Sequence, residues 1–263
     1  MNKNINLNKT MVNAAKCAVI LMLATLAVAG RANAQTETNI VGQPAKPKWT
    51  GSAGLGFMLT DGNSDTMLFN VRVDAEKKWL KNELLVGASG SYGENDGDKN
   101  NEQARAYGQY NRTFGENDRW FGYGRIEGMY DAIADLDGRI AVGPGIGYYF
   151  IKKEKMLFSG ETGPGVVFEK YNGEDWETYM TLRIAERFEY KINDRAKLWQ
   201  MAEFMPDLAD TDKYIINAEI GIETAITKAW ALRVSLQNSY NSKPSSGRER
   251  NDLKLIAGVT YKF

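Results

Sequence analysis

Ionisable side chains in this chain recur at every second residue. Arg72, Asp74 and Glu76 form one run, Arg125 and Glu127 another, and Arg187 and Glu189 a third. That period places them on one face of an extended strand. Glu127, Glu161, Glu177, Glu203, Glu219 and Glu223 all fall on such faces. Two carboxylates at a set separation could hydrolyse a glycoside. Here, however, Arg72, Arg105, Arg125, Arg139, Arg183, Arg187 and Arg233 share the same faces. Charges withdrawn from bulk water need partners. The spacing therefore reads as a set of mutually paired charges inside a β-structure, and no catalytic residue is expected.

Composition excludes other chemistries. The chain contains no His, which removes Ser-His-Asp triads and His-ligated metal sites. It has no phosphate-cradling P-loop and no GxSxG nucleophile elbow. The acidic runs Asp61 to Asp65 and Glu94 to Asp98 lack the terminal Glu of a twelve-residue calcium loop and read as solvated loops. GLG at Gly54 to Gly56 and GPGIG at Gly143 to Gly147 lie within strand-like segments, where close packing explains them. No metal and no cofactor is expected.

Twelve alternating segments carry these residues, each bounded by turn formers. They are Trp49 to Thr60, Thr66 to Trp79, Glu83 to Gly93, Gln103 to Phe114, Trp120 to Tyr130 and Gly138 to Phe150. Met156 to Phe168, Trp176 to Tyr190, Ala196 to Met205, Tyr214 to Ile226, Trp230 to Tyr240 and Leu253 to Phe263 follow. In each, apolar residues face one way and polar residues or glycines the other. Segments of about ten residues suit a tilted strand crossing an apolar band roughly 25 Å tall. Strands of a soluble sandwich are shorter. Pro144 and Pro164 fall inside two segments and are expected to mark bulges.

The connections alternate in length. Gly93 to Asn101 and Ser242 to Arg250 read as long polar loops, whereas Leu80 to Asn82, Gly115 to Asp118, Lys152 to Lys155, Asn193 to Arg195 and Thr227 to Ala229 read as tight turns. Short turns on one side and longer loops on the other are a habit of outer-membrane barrels. Aromatic residues gather near segment ends. Trp79, Trp120, Trp176, Trp230, Tyr261 and Phe263 are assigned to membrane interfaces, where a ring can be half apolar and half wet.

The first 34 residues read as an export signal. Lys3, Lys9 and Lys16 precede the uncharged run Cys17 to Ala29, and Ala32-Asn33-Ala34 follows as a cleavage pattern. Cleavage is expected between Ala34 and Gln35. Residues 35 to 48 read as a periplasmic leader, and 49 to 263 as the barrel. Losing Lys3, Lys9, Lys16 and Arg31 from a chain of 33 basic and 33 acidic residues leaves an acidic mature protein, which excludes a nucleic-acid footprint. Cys17 also leaves with the signal, so the mature protein is expected to hold no disulfide.

Several stretches resemble one family. They are GLGFMLTDGNSDT (Gly54 to Thr66), GPGIGYYF (Gly143 to Phe150), ETGPGVVFEK (Glu161 to Lys170), LRVSLQNSYNSKP (Leu232 to Pro244) and the final DLKLIAGVTYKF. Their order and spacing are similar to those of the domain of unknown function 481 family, a group described as salt-induced outer-membrane proteins. The resemblance spans nearly all of the mature chain. It implies a barrel in a Gram-negative outer membrane and a link to salt or osmotic stress; it implies no reaction.

The reading is an all-β chain: an antiparallel, up-and-down transmembrane β-barrel of about twelve strands. The lumen is assigned to Arg72, Arg105, Arg125, Glu127, Arg139, Glu161, Arg183, Arg187, Glu219 and Arg233. A narrow or closed pore is expected, in a monomer. Its expected partners are outer-membrane lipids and the barrel-assembly machinery, which would read the last strand ending at Phe263. The alternatives are an outer-membrane enzyme acting on lipid or peptide, and a soluble periplasmic barrel that binds a ligand.

Overall fold

The computed structural model describes residues 48–60 and 66–263, with the side chains of 58–60 and 66 left out of the description. The export signal, the cleavage site at Ala34 and Gln35, the leader up to residue 47 and the acidic run Asp61 to Asp65 lie outside the described residues. Twelve strands follow in order: β1 (Trp49–Thr60), β2 (Thr66–Trp79), β3 (Asn82–Asn95), β4 (Asp98–Phe114), β5 (Trp120–Asp131) and β6 (Leu136–Lys152). Then come β7 (Met156–Tyr171), β8 (Glu177–Lys191), β9 (Ala196–Pro206), β10 (Tyr214–Ala225), β11 (Trp230–Asn241) and β12 (Asn251–Lys262). Each pairs antiparallel with its sequence neighbours, and β1 closes on β12 to make a barrel.

Alternation decides which side of the wall each residue takes. Along β11, Trp230, Leu232, Val234 and Leu236 are exposed, whereas Ala231 and Ser235 are buried. β12 and β10 repeat this, with Leu253, Leu255 and Val259 outside on one and Ile220 and Ile222 outside on the other. The exposure is inverted relative to a water-soluble protein. Leu255 is 67% exposed, while Gln109, Asn111, Glu169 and Glu223 are buried within. An apolar outer wall around a polar interior is stable where hydrocarbon is the outer solvent.

Two sequence expectations are corrected. Gly93 to Asn101 is no long loop: β3 runs to Asn95, β4 starts at Asp98, and Asp96-Gly97 alone turns the chain. Both residues have positive φ, 52° and 83°, as a mirror-type hairpin turn requires and as Asp-Gly readily supplies. Nor do Pro144 and Pro164 mark bulges. They face each other across β6 and β7, where the ladder lapses between Val142 opposite Val166 and Ile146 opposite Thr162, at unchanged register. Neither proline can donate to a ladder. The flanking glycines let the backbones close in: a Cβ on Gly163 would stand 2.2 Å from the Pro144 carbonyl oxygen. The register shifts lie elsewhere, at Gly93/Glu94, Met129/Asp131, Leu136/Gly138 and Tyr149/Ile151.

Candidate functional site: a charged belt across the lumen

Inward positions of the strands bring Arg and Glu side chains together at mid-height. The first group centres on Glu219 of β10. Arg72 of β2 reaches it with Nη1 at 2.9 Å and holds Asp74 with Nε at 2.7 Å. Trp199 Nε1 donates to Glu219 at 3.0 Å, Arg233 Nη2 at 3.2 Å and Gln237 Nε2 at 3.0 Å. Arg233 also lies over the Trp199 ring at 4.2 Å. One carboxylate thus accepts from four side chains on three strands, β2, β9 and β11.

The second group is built on β4, β5, β7, β8 and β9. Arg183 donates to Glu161 at 2.7 Å and to Glu203 at 2.5 Å, with the Tyr123 ring beneath it. Arg105 and Arg125 share Glu127 at 2.6 and 2.5 Å. Gln109 bridges the two halves: its amide nitrogen donates to Glu161 at 3.1 Å, and its oxygen accepts from Arg125 at 3.1 Å. Tyr107 joins this group to the first. Its hydroxyl donates to Asp74 at 3.2 Å, and its ring carries the Arg125 guanidinium at 4.8 Å. Five arginines (Arg72, Arg105, Arg125, Arg183, Arg233) therefore meet five carboxylates (Asp74, Glu127, Glu161, Glu203, Glu219), and each charge has an opposite partner.

Two cavities adjoin this belt. A chamber of about 760 Å³ opens toward the end where β1 begins and β12 finishes, lined by Arg187, Glu189, Lys197, Glu223 and Lys262 among others. A smaller chamber of about 230 Å³ lies among the belt side chains, bordered by Arg105, Arg125, Arg183 and Glu219, and extends to Ser89, Gln103, Asn217, Gln237 and Lys254. Arg72, Asp74 and Tyr107 border both.

Two of the assigned arginines sit apart from the belt. Arg187 pairs with Glu189 in the lower chamber. Arg139 lies near the upper rim, holding Glu169 at 2.8 Å and donating to the Tyr171 hydroxyl at 3.1 Å. Lys213 completes that rim cluster by pairing with Glu169 and Glu177. Over the upper mouth, the long β11–β12 loop crosses to the β5–β6 loop on the opposite wall. Arg248 grips Asp135 there with two hydrogen bonds of 2.5 and 2.7 Å. The hydrogen bond from Arg248 holds the Asp135 carboxyl below its ordinary pKa, and Lys243 does the same for Asp210.

The interface aromatics gather at the two ends of the wall. Trp79 with Tyr110, Trp120 with Tyr148 and Trp230 with Tyr261 lie at the lower end, where Phe263 pairs its backbone with Gly51. Trp176 stands exposed at the upper end beside Gly138, and Tyr214 stacks on Tyr240 at the same end. The sequence assignment left out Trp199, Tyr107, Tyr123 and Gln109. Their signal is parity: Tyr107 and Gln109 share the inward face with Arg105, Tyr123 with Arg125, and Trp199 with Lys197 and Glu203.

With this geometry in hand, the chain can be compared with known proteins. Residues 53–263 match the family model described as "Protein of unknown function, DUF481". The chain belongs to this family. It is similar to the uncharacterized protein YdiY of Escherichia coli (strain K12), with 23% identity over 223 residues, covering 83% of this chain and 85% of the relative. Among solved structures it is similar to the NanC porin at a TM-score of 0.50 and 10% identity, over 81% of this chain and 100% of that one. It is also similar to the translocator domain of the autotransporter NalP from Neisseria meningitidis, at a TM-score of 0.48 and 11% identity, over 95% and 98% of the two chains. The fold is thus a closed, twelve-stranded antiparallel barrel like that of the NanC porin.

Proposed function

We propose that this protein is an outer-membrane barrel whose lumen is a narrow passage, held nearly shut by the charged belt. The balance of five arginines against five carboxylates carries the reading. Rings of unpaired charge along a wall favour passage of ions of the opposite sign. Here each charge is engaged by a neighbour, so the belt presents a neutral, hydrogen-bonded obstruction. A twelve-stranded barrel is also narrower than the sixteen-stranded porins that leave a water channel.

The membrane placement is supported by the apolar wall and the aromatic ends. The final strand, with its alternating apolar face closed by Phe263, is the segment we assign to recognition by barrel-assembly machinery. The role is passive rather than catalytic. Glu161 and Glu203, an obvious acid pair, are both tied to Arg183.

Single-channel recording in planar bilayers tests the reading. The protein is expected to give small conductance steps or none. Large, long-lived open steps from the unmodified protein would overturn it.

A further inference from the structure

Along β8 the outer face reads Met180, Leu182, Ile184, Glu186, Phe188 and Tyr190, alternating with inward Tyr179, Thr181, Arg183 and Arg187. Met180, Ile184 and Tyr190 are exposed, and Tyr179 and Thr181 are buried. Parity therefore puts the Glu186 carboxyl on the wall that meets hydrocarbon. β9 repeats the anomaly one strand on: Trp199 is buried inside, and Gln200 stands exposed outside between Leu198 and Ala202. The two polar groups join, with Gln200 Nε2 donating to Glu186 Oε1 at 3.1 Å. Glu186 lies two outward positions from Tyr190, at the lower end of β8. At about 3.3 Å per residue and a strand tilt of about 40°, that sets it roughly 10 Å inside the edge of an apolar band roughly 25 Å tall.

An ionisable group on a lipid-facing wall is costly, and hydrocarbon returns none of that cost. The pair meets part of its own demand. A carboxyl has two oxygens and an amide nitrogen two N–H groups. The one bond between them leaves Glu186 Oε2 and one Gln200 N–H without a partner among the described residues. The wall around them is low. Glu186 has Gly160 on β7 and Ala202 on β9 as register neighbours, and Ala218 follows on β10. In lipid, small side chains let two surfaces approach closely, and polar side chains hold them together.

We propose that this face is the contact of a two-fold dimer, in place of the monomer expected from the sequence. A two-fold axis along the membrane normal, passing between β8 and β9, sets β8 of one copy against β9 of the other. Glu186 then faces Gln200 of the second copy, and Gln200 faces its Glu186. The two residues of each copy lie at one height, as their mutual hydrogen bond requires, so one axis serves both. The free N–H of each Gln200 donates to the free oxygen of the opposite Glu186, closing a ring of four side chains. This self-complementarity fixes the occupant as a second copy: a lipid tail has no donor to offer Oε2, and headgroups lie outside the apolar band. The proposal rests on the membrane placement given above, but not on the conductance of the pore.

The test uses the full chain with Cys17→Ala and Ser246→Cys. Batches labelled with a donor and with an acceptor fluorophore are mixed unfolded, then folded together into dioleoyl phosphatidylcholine vesicles. Energy transfer is followed as lipid is added at fixed protein, against Gln200→Leu and the exchange Glu186→Gln with Gln200→Glu. A heat-induced shift in gel mobility shows that each variant is folded. The unmodified face is expected to keep its transfer at dilutions where Gln200→Leu has fallen to the level of chance encounter. The exchange keeps one donor opposite one acceptor and is expected to transfer as the unmodified face does. Transfer at the chance level in the unmodified face overturns the dimer, as does equal transfer in folded Gln200→Leu. Should Gln200→Leu not fold, the exchange decides, and its loss of transfer when folded overturns the dimer. Protein that does not float with the vesicles overturns the membrane placement instead, and the dimer with it.

Discussion

Removing the Glu219 carboxylate should both weaken the barrel and unlock its lumen. Glu219→Ala takes away the acceptor shared by Arg72, Arg233, Trp199 and Gln237. Arg72 retains Asp74 at 2.7 Å, but Arg233 is left with Asp74 at 4.0 Å, at the limit of an ion pair. Breaking one partner out of a buried pair costs about 3–5 kcal/mol because a charge is stranded. The side chains here keep between about a tenth and a quarter of their surface in water, which reduces that cost. The expected loss is therefore about 2–3 kcal/mol, read from urea unfolding of the vesicle-inserted barrel. The same change leaves the belt with five positive groups against four negative, so small anions should gain passage over cations. Reversal potentials across a salt gradient report that selectivity. Adding Arg72→Ala should recover part of the stability, since the two sites share one interaction. The reasoning fails if Glu219→Ala unfolds at the unmodified midpoint and its conductance is unchanged.

Other expectations rest on separate features. The Asp135–Arg248 clamp joins exposed loops, and its aspartate has a lowered folded-state pKa. Its contribution is therefore complete above the ordinary aspartate range and is lost as pH falls through the lowered value. A spin label at Ser246 should sharpen to a mobile spectrum on acidification, and at neutral pH also in high salt, which screens exposed pairs; a spectrum constant in both conditions refutes the clamp. Gly147→Val should be severely destabilising, because even a Cβ there would lie 2.1 Å from the Phe121 ring. A cost of about 1–3 kcal/mol or more is expected from overpacking, and a normal heat-induced shift in gel mobility would contradict it. Val234→Arg places a charge on the outer wall of β11. It should cost about 2–4 kcal/mol on insertion into vesicles if the site sits at mid-bilayer, whereas Ser89→Arg on the inner wall should cost clearly less.

Strand existence and facing were legible in residue order because alternation is a property of the local backbone. Trp49–Thr60 and Thr66–Trp79 appear with the bounds that their alternation implies, and the inward side of Arg72, Asp74 and Glu76 follows from parity. Local pattern is also enough for Asp96-Gly97, a hairpin dipeptide set within a run of polar residues. The partners could not be read this way. Arg72 and Glu219 lie 147 positions apart, and Asp135 and Arg248 lie 113 apart. Which carboxylate meets which arginine depends on strand number, tilt and stagger around the closed wall, and these are set jointly by all twelve strands. The same holds for the lapse at Pro144 and Pro164. Alternation tells each residue which solvent it faces, and closure alone tells it which neighbour it meets.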